Sequence, residues 1–248
     1  MRLTVVGCGD AFGTGGRSHS CYRLDAQGRT LLADFGASAI LGWRRLGFDT
    51  GAIDAVVLSH LHGDHFGGLP FLLLDRQFTS AGRGRNLIIA GPPGTRERLD
   101  ALIEVTYPAA GSLPWRFDWS VVEIPPGGKL DIAGFSVETR EVVHASGAPS
   151  TGLRIGADGR LFAFSGDTEW TDALFPLCRG ADLFVTECYS GKTHVTGHLD
   201  WPTLRDKLPL LDARRRMVTH MGPSALPLTA EFEAAGLLVA YDGLVIDL

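Results

Sequence analysis

Three histidines and an aspartate crowd into six residues of the run Ser59-His60-Leu61-His62-Gly63-Asp64-His65. Imidazole nitrogen and carboxylate oxygen are donors that divalent transition metals take, so the chemistry this run suggests is metal binding. Side chains alternate in an extended segment, which points His60 and His62 to one side, where they can share an ion. Gly63 permits a sharp turn, after which Asp64 and His65 open a helix and face a second position nearby. The spacing therefore spreads the ligands over two ions. Six residues cannot complete two sites, and the remaining ligands must return from other strand ends. His144, Asp167, Glu187 and His220 qualify, because each follows an apolar run that reads as a strand, where a scaffold presents polar groups to a cleft.

The elements that must hold these residues are legible as short β-branched or apolar runs at 3–6, 21–24, 30–33, 53–58, 87–90, 135–143, 152–155, 161–165, 183–186 and 217–219. Each is bounded by Gly, Pro or Asp, as strands are. Helical patterns fall at 37–46, 69–78, 95–105, 203–208 and 228–235. Strands and helices occur in both halves, and no linker or low-complexity tract divides the chain. This distribution predicts one domain over 1–248 of the α/β (α+β) class, a four-layer αββα sandwich in which two sheets pack together under outer helices. The apolar run Phe71-Leu72-Leu73-Leu74 predicts that the helix at 69–78 is deeply buried behind the site. Arg98, Asp100 and Glu104 give the helix at 95–105 a polar face.

With these residues in view, the chain resembles the metallo-β-lactamase-fold metallo-hydrolase superfamily and, within it, the ribonuclease Z-like phosphodiesterase branch. The likeness covers essentially the whole chain. The superfamily pattern His-x-His-x-Asp-His, followed by His, Asp and His at later strand ends, falls in order on His60, His62, Asp64, His65, His144, Asp167 and His220. The resemblance implies one metal on His60, His62 and His144, a second on Asp64, His65 and His220, and Asp167 bridging both. It also implies that Asp34 braces the histidine loop. Ser165-Gly166-Asp167 stands where true β-lactamases of the superfamily offer cysteine, so the shell is all nitrogen and oxygen. Such a shell makes zinc the default ion and admits manganese or iron.

The implied activity is hydrolysis by a metal-bound hydroxide, with Asp64 in the catalytic centre. Two divalent ions outweigh Asp64, Asp167 and a bridging hydroxide, leaving a centre of about +1 that suits an anionic phosphodiester. Glu187 and His198 resemble the branch's proton-delivery pair. Transfer RNA processors of this family carry a basic arm between the ligands corresponding to His144 and Asp167. Here that interval is 167 − 144 = 23 residues, a strand, a turn at Ala157-Asp158-Gly159-Arg160 and a strand. No arm fits, so small phosphodiesters or cyclic nucleotides rise above RNA as substrates. A lactonase, thioesterase or sulfatase-like hydrolase would keep the metals and leave Glu187 and His198 structural. Relatives in the branch are often dimers, which makes a homodimer one assembly open to this chain.

Composition excludes several other classes. A formal charge of −5 offers no basic stripe for nucleic acid, and Arg214, Arg215 and Arg216 form the only cationic run, read as a surface turn. Cys8, Cys21, Cys178 and Cys188 are scattered without a C-x-x-C pair, which argues against a zinc knuckle or redox motif. The N-terminus reaches Gly7 too soon for a signal peptide, and no stretch approaches ~18 apolar residues, so the expected location is cytoplasmic, with no membrane partner. The glycines at 7, 9 and 13 are followed by a strand where a dinucleotide fingerprint needs a helix, and they read as a rim loop. His19 reads as an exposed loop residue. His194, four residues before His198 across Gly197, stays outside the site.

Overall fold

The computed structural model describes residues 1–79 and 85–248. The first half of the chain supplies β1 (Arg2–Gly7), β2 (Cys21–Ala26), β3 (Arg29–Ala33), β4 (Ala55–Val57), β5 (Leu87–Gly91) and β6 (Trp119–Glu123). The second supplies β7 (Lys129–Ile132), β8 (Phe135–Glu141), β9 (Thr151–Ala157), β10 (Arg160–Phe164), β11 (Leu183–Glu187), β12 (Arg216–Thr219) and β13 (Leu238–Val239), and β14 (Val245–Asp247) returns to the first sheet. The strand orders are β14-β1-β2-β3-β4-β5-β6 and β13-β12-β11-β10-β9-β8-β7. Within each sheet a parallel block, β3 to β6 and β10 to β13, adjoins antiparallel hairpins. Parallel strands bring their C-terminal ends to one edge, and open α/β sheets bind ligands outside that edge.

Three apolar layers hold this arrangement, as an αββα sandwich requires. Between the sheets lie Leu3, Tyr22, Leu24 and Leu31 from the first and Phe135, Phe162, Phe164 and Val185 from the second, all within 1% of complete burial. Fully burying one such side chain contributes about 1.5–3 kcal/mol. The outer face of the first sheet is covered by α1 (Ala39–Arg45), by α2 (Gly63–Phe66) with the α3 helix that follows it (Leu69–Phe78), and by α4 (Thr95–Thr106). That of the second is covered by α5 (Leu174–Cys178), α6 (Trp201–Lys207) and α7 (Thr229–Ala234). The start of α6 is dictated locally: Asp200 accepts the Thr203 N–H at 2.9 Å as the N-cap, and Pro202 sits in the first turn, where no amide bond is lost.

Two expectations fail. Helix α3 is buried along one face only: Leu69, Leu72 and Leu73 are covered, Phe71 and Leu74 are half-exposed, and Phe78 is 65% exposed. An apolar run does not by itself surround a helix with partners, and α3 lies on a single sheet. Phe71, Leu74 and Phe78 instead line an open apolar groove with Ile40, Tyr107 and Leu113. The strands β6, β7, β13 and β14 and the five-residue α5 escape the sequence reading, because they are short and the four strands are largely half-exposed, which blurs any apolar pattern.

Between His144 and Asp167 the chain forms only the β9–β10 hairpin, in which Ala157 pairs with Arg160 across Asp158 and Gly159, both at positive φ. That is the two-residue turn favoured by Asp-Gly. Among the described residues no helix is long and apolar enough to cross a membrane.

Candidate metal centre

The candidate metal ligands lie beyond strand ends at one edge. Strand β4 is fully buried and runs into Leu58 and Ser59, which deliver His60 and His62 in extended backbone. His62 then caps the single turn of α2, which carries Asp64 and His65. Asp167 follows β10 after Gly166 at φ 61°, Glu187 is the last residue of β11, and His220 follows β12. His144 lies three residues beyond β8.

Four groups of donor atoms come together among the described residues. His60, His62 and His144 form one and Asp64, His65, Asp167 and His220 another, and His198 completes two more, with His144 and Asp167 and with Glu187 and His220. The first two together contain all seven ligands expected from the sequence. His62 Nδ1 lies 3.0 Å from His144 Nε2. His65 Nε2 lies 3.3 Å from both Asp64 Oδ2 and Asp167 Oδ1, and His220 Nε2 is 3.1 Å from Asp64 Oδ2 and 3.4 Å from Asp167 Oδ2. Asp167 Oδ2 is also 3.9 Å from His60 Nε2 and from His144 Nε2, so this carboxylate faces both sets. Around a tetrahedral ion with bonds of about 2.0–2.1 Å, neighbouring donors stand roughly 3.3 Å apart, close to the shorter spacings here.

The donors fit a cation in a second respect. His60 Nε2, His65 Nε2 and Asp167 Oδ1 are buried polar atoms with no hydrogen-bond partner in the protein. Buried groups of this kind are rarely left unpaired, and here they converge on common points. Their charges interact strongly. Burial opposes ionisation of Asp167, but the facing His220 and His65 outweigh it and hold the carboxyl well below its usual range. Burial opposes a charged His220, and Asp167, Asp64 and Glu187 overcome it and raise His220 to about 9.

An outer ring of contacts orients the donors. Asp34 is fully buried, at φ 61°, with Oδ2 2.6 Å from His65 Nδ1. It also accepts the Ser59 N–H at 2.7 Å and the Ser59 hydroxyl at 2.8 Å, so one carboxylate grips both ends of the ligand run. The segment behind it packs backbone to backbone on α2: Phe35 N–H donates to His65 O and Ala37 N–H to Gly63 O. A Cβ on Gly36 would lie 2.0 Å from Asp64 O, so glycine is required there. Ser59 Oγ is 3.0 Å from His60 Nδ1, and the Gly197 carbonyl accepts His144 Nδ1–H at 2.7 Å. Such partners fix the tautomer and the direction of a ligating imidazole.

Glu187 and His198 meet. His198 Nδ1 donates to Glu187 Oε1 at 2.9 Å, and the buried Glu187 also accepts the Thr168 and Tyr189 N–H groups. Burial works against a charged His198, and Glu187 outweighs it, so His198 titrates above an ordinary imidazole. Its ring stands 5.6 Å from that of His220, centre to centre, and 4.9 Å from that of Tyr189.

Several residues near the site carry no sequence signal. Arg98, expected on the polar face of the helix at 95–105, turns inward and donates from one nitrogen to Leu61 O and Ser146 O, joining the loop of His60 and His62 to the loop of His144. His19, read as an exposed loop residue, is half-buried: its backbone donates to Ser38 Oγ and its Nδ1 accepts the Ser38 N–H. His194 is exposed. Contacts of 37 or 48 residues in sequence separation cannot be read from local spacing.

The family described as anti-Pycsar protein Apyc1 matches residues 1–239. The chain belongs to that family. This Apyc1-family chain is also 28% identical to a ribonuclease Z of Mycobacterium bovis (strain BCG / Pasteur 1173P2) over 193 residues, which are 75% of this chain and 69% of the relative. Its fold matches the metallo-β-lactamase-fold protein YhfI of Bacillus subtilis with a TM-score of 0.80, 21% identity and coverage of 99% and 98% of the two chains. The short form of human tRNase Z superposes equally well, with a TM-score of 0.80, 24% identity and coverage of 100% and 99%. The Apyc1-family chain is thus a metallo-β-lactamase-fold hydrolase related to ribonuclease Z.

Proposed function

We propose that this chain is a binuclear metal-dependent phosphodiesterase acting on small phosphodiesters, cyclic nucleotides among them. One ion is held by His60, His62 and His144 and the other by Asp64, His65 and His220, with Asp167 shared. The observation that carries this reading is the position of Asp167, whose two oxygens face both donor sets from a buried site. Zinc suits the nitrogen and oxygen donors, and manganese or iron would be accepted by them. Two such ions supply a nucleophile at neutral pH and stabilise charge on phosphoryl oxygens.

The protein's own groups provide the rest. Asp34 holds His65 in one orientation, and Gly197 does the same for His144. Glu187 keeps a proton on His198, which stands beside the donor cluster and can deliver it to a departing oxygen. Phosphodiesters with alkoxide leaving groups need that proton, which favours them over thioesters. The short β9–β10 hairpin leaves no arm between His144 and Asp167 to grip a large RNA.

Elemental analysis of protein purified without chelator is expected to find close to two transition metal ions per chain. A content that stays at zero after reconstitution with zinc or manganese rejects the centre altogether. In a parallel panel, the reconstituted protein is expected to hydrolyse an aryl phosphodiester and cyclic nucleotides, and to leave precursor transfer RNA essentially uncut. Faster turnover of lactones or thioesters would move the assignment to those bonds. Site-specific transfer RNA cleavage would show that the missing arm is not needed.

A further inference from the structure

Glu169 lies outside both donor sets, two residues after Asp167, on a half-buried turn. Its carboxylate Oε1 accepts the Gly197 N–H at 2.7 Å across 28 residues of sequence. The carbonyl of the same Gly197 accepts His144 Nδ1–H at 2.7 Å, and the next residue is His198. Glu169 also acts through its backbone, donating its N–H to Val143 O at 2.9 Å, immediately before His144. One residue therefore grips the chain that carries the His144 imidazole and the glycine whose carbonyl orients it.

Gly197 leaves little freedom in this arrangement. Its φ is +83°, and a Cβ would lie 3.0 Å from His144 Nδ1, so the peptide approaches the ring as closely as glycine allows. The loop around it is tied by backbone donors, Thr193 N–H to Ser190 Oγ at 3.2 Å and His198 N–H to Val195 O at 3.0 Å, while Lys192, Thr193, His194 and Thr196 are exposed. Glu169 is thus a side-chain hold on Gly197, the residue whose carbonyl contacts His144 and whose neighbour is His198.

We infer that Glu169 is a positioning residue that sets His144 and His198 in register with each other through Gly197. The inference rests on the metal reading above and adds a residue which neither coordinates nor transfers a proton. It predicts that reach matters and charge does not. Asp at this position keeps the charge but is one methylene too short for Gly197. Gln keeps the length and an accepting oxygen.

The test is a zinc titration under chelator competition of wild type, Glu169→Ala, Glu169→Asp and Glu169→Gln, with melting of each metal-free protein recorded alongside. Wild type should bind two ions. Glu169→Ala and Glu169→Asp should lose affinity for one ion by roughly tenfold, at the low end for outer partners of metal ligands, and hold the other within about twofold. Glu169→Gln should follow wild type. Glu169→Asp should also turn over alkyl diesters disproportionately slowly relative to a nitrophenyl diester, with Glu169→Gln unaffected in that ratio. Equal weakening of both ions, Asp behaving as wild type, or Gln behaving as Ala would each overturn the inference. Should Glu169→Ala fail to fold, the Asp and Gln pair decides. A wild type that binds no second ion fails the metal reading itself, and that arm shows it independently of the variants.

Discussion

Asp167→Ala is expected to empty both halves of the candidate centre, with metal content falling from about two ions to below one and activity falling in step. The reason lies in the position of one carboxylate among five imidazoles. Asp167 Oδ1 is 3.3 Å from His65 Nε2, and Oδ2 lies 3.4 to 3.9 Å from nitrogens of His220, His60, His144 and His198. Removing it takes a negative charge from both sets at once and leaves cations facing chiefly neutral imidazole in the first set. Metal ligands contribute binding free energy directly, so occupancy should respond before the fold does. The loss of activity should be on the order of 10²- to 10³-fold or more, the scale for removing one preorganised group that stabilises transition-state charge. Metal analysis and turnover of the same preparation check this. An Asp167→Ala protein that keeps two ions yet loses activity would remove the bridge from the mechanism.

His198→Ala is expected to separate substrates by leaving group. His198 donates to the buried Glu187, which outweighs burial and holds it above its usual pKa, so at a given pH it is more protonated than an ordinary imidazole. General acid catalysis is typically worth ~10²- to 10⁴-fold where the leaving oxygen needs the proton. The variant should therefore keep both ions, lose most activity on alkyl or ribose diesters, and lose much less on a nitrophenyl diester whose leaving group departs unaided. Equal losses on the two substrates would reject the acid role. Loss of one ion would instead make His198 a ligand, an outcome with geometric room, since its ring also stands within reach of His144 and Asp167.

These two expectations differ in where they originate. Asp167 is visible in the sequence as a carboxylate after an apolar strand, and its chemistry follows from its type and place. The contact between Glu187 and His198 is suggested only by family resemblance, because the two lie eleven positions apart on an irregular loop. Asp34 is intermediate. Alone it is a turn residue, and only the fold shows that its buried carboxylate touches His65 and Ser59, 31 and 25 residues away.

What the sequence determined by itself is the part of the protein built from local rules. Period-two side-chain alternation places His60 and His62 together, apolar runs mark the central strands, and Asp200 with Pro202 begins α6. Tertiary structure decided what depends on distant partners. It exposed one face of α3 by giving it a single sheet to cover, turned Arg98 inward to join two ligand loops, and carried Glu169 to the glycine whose carbonyl orients His144. The physical reason is range. Backbone propensity and side-chain period act over a few residues, whereas burial and hydrogen-bond satisfaction in a two-sheet sandwich are settled only when strands far apart in sequence align their ends on one edge.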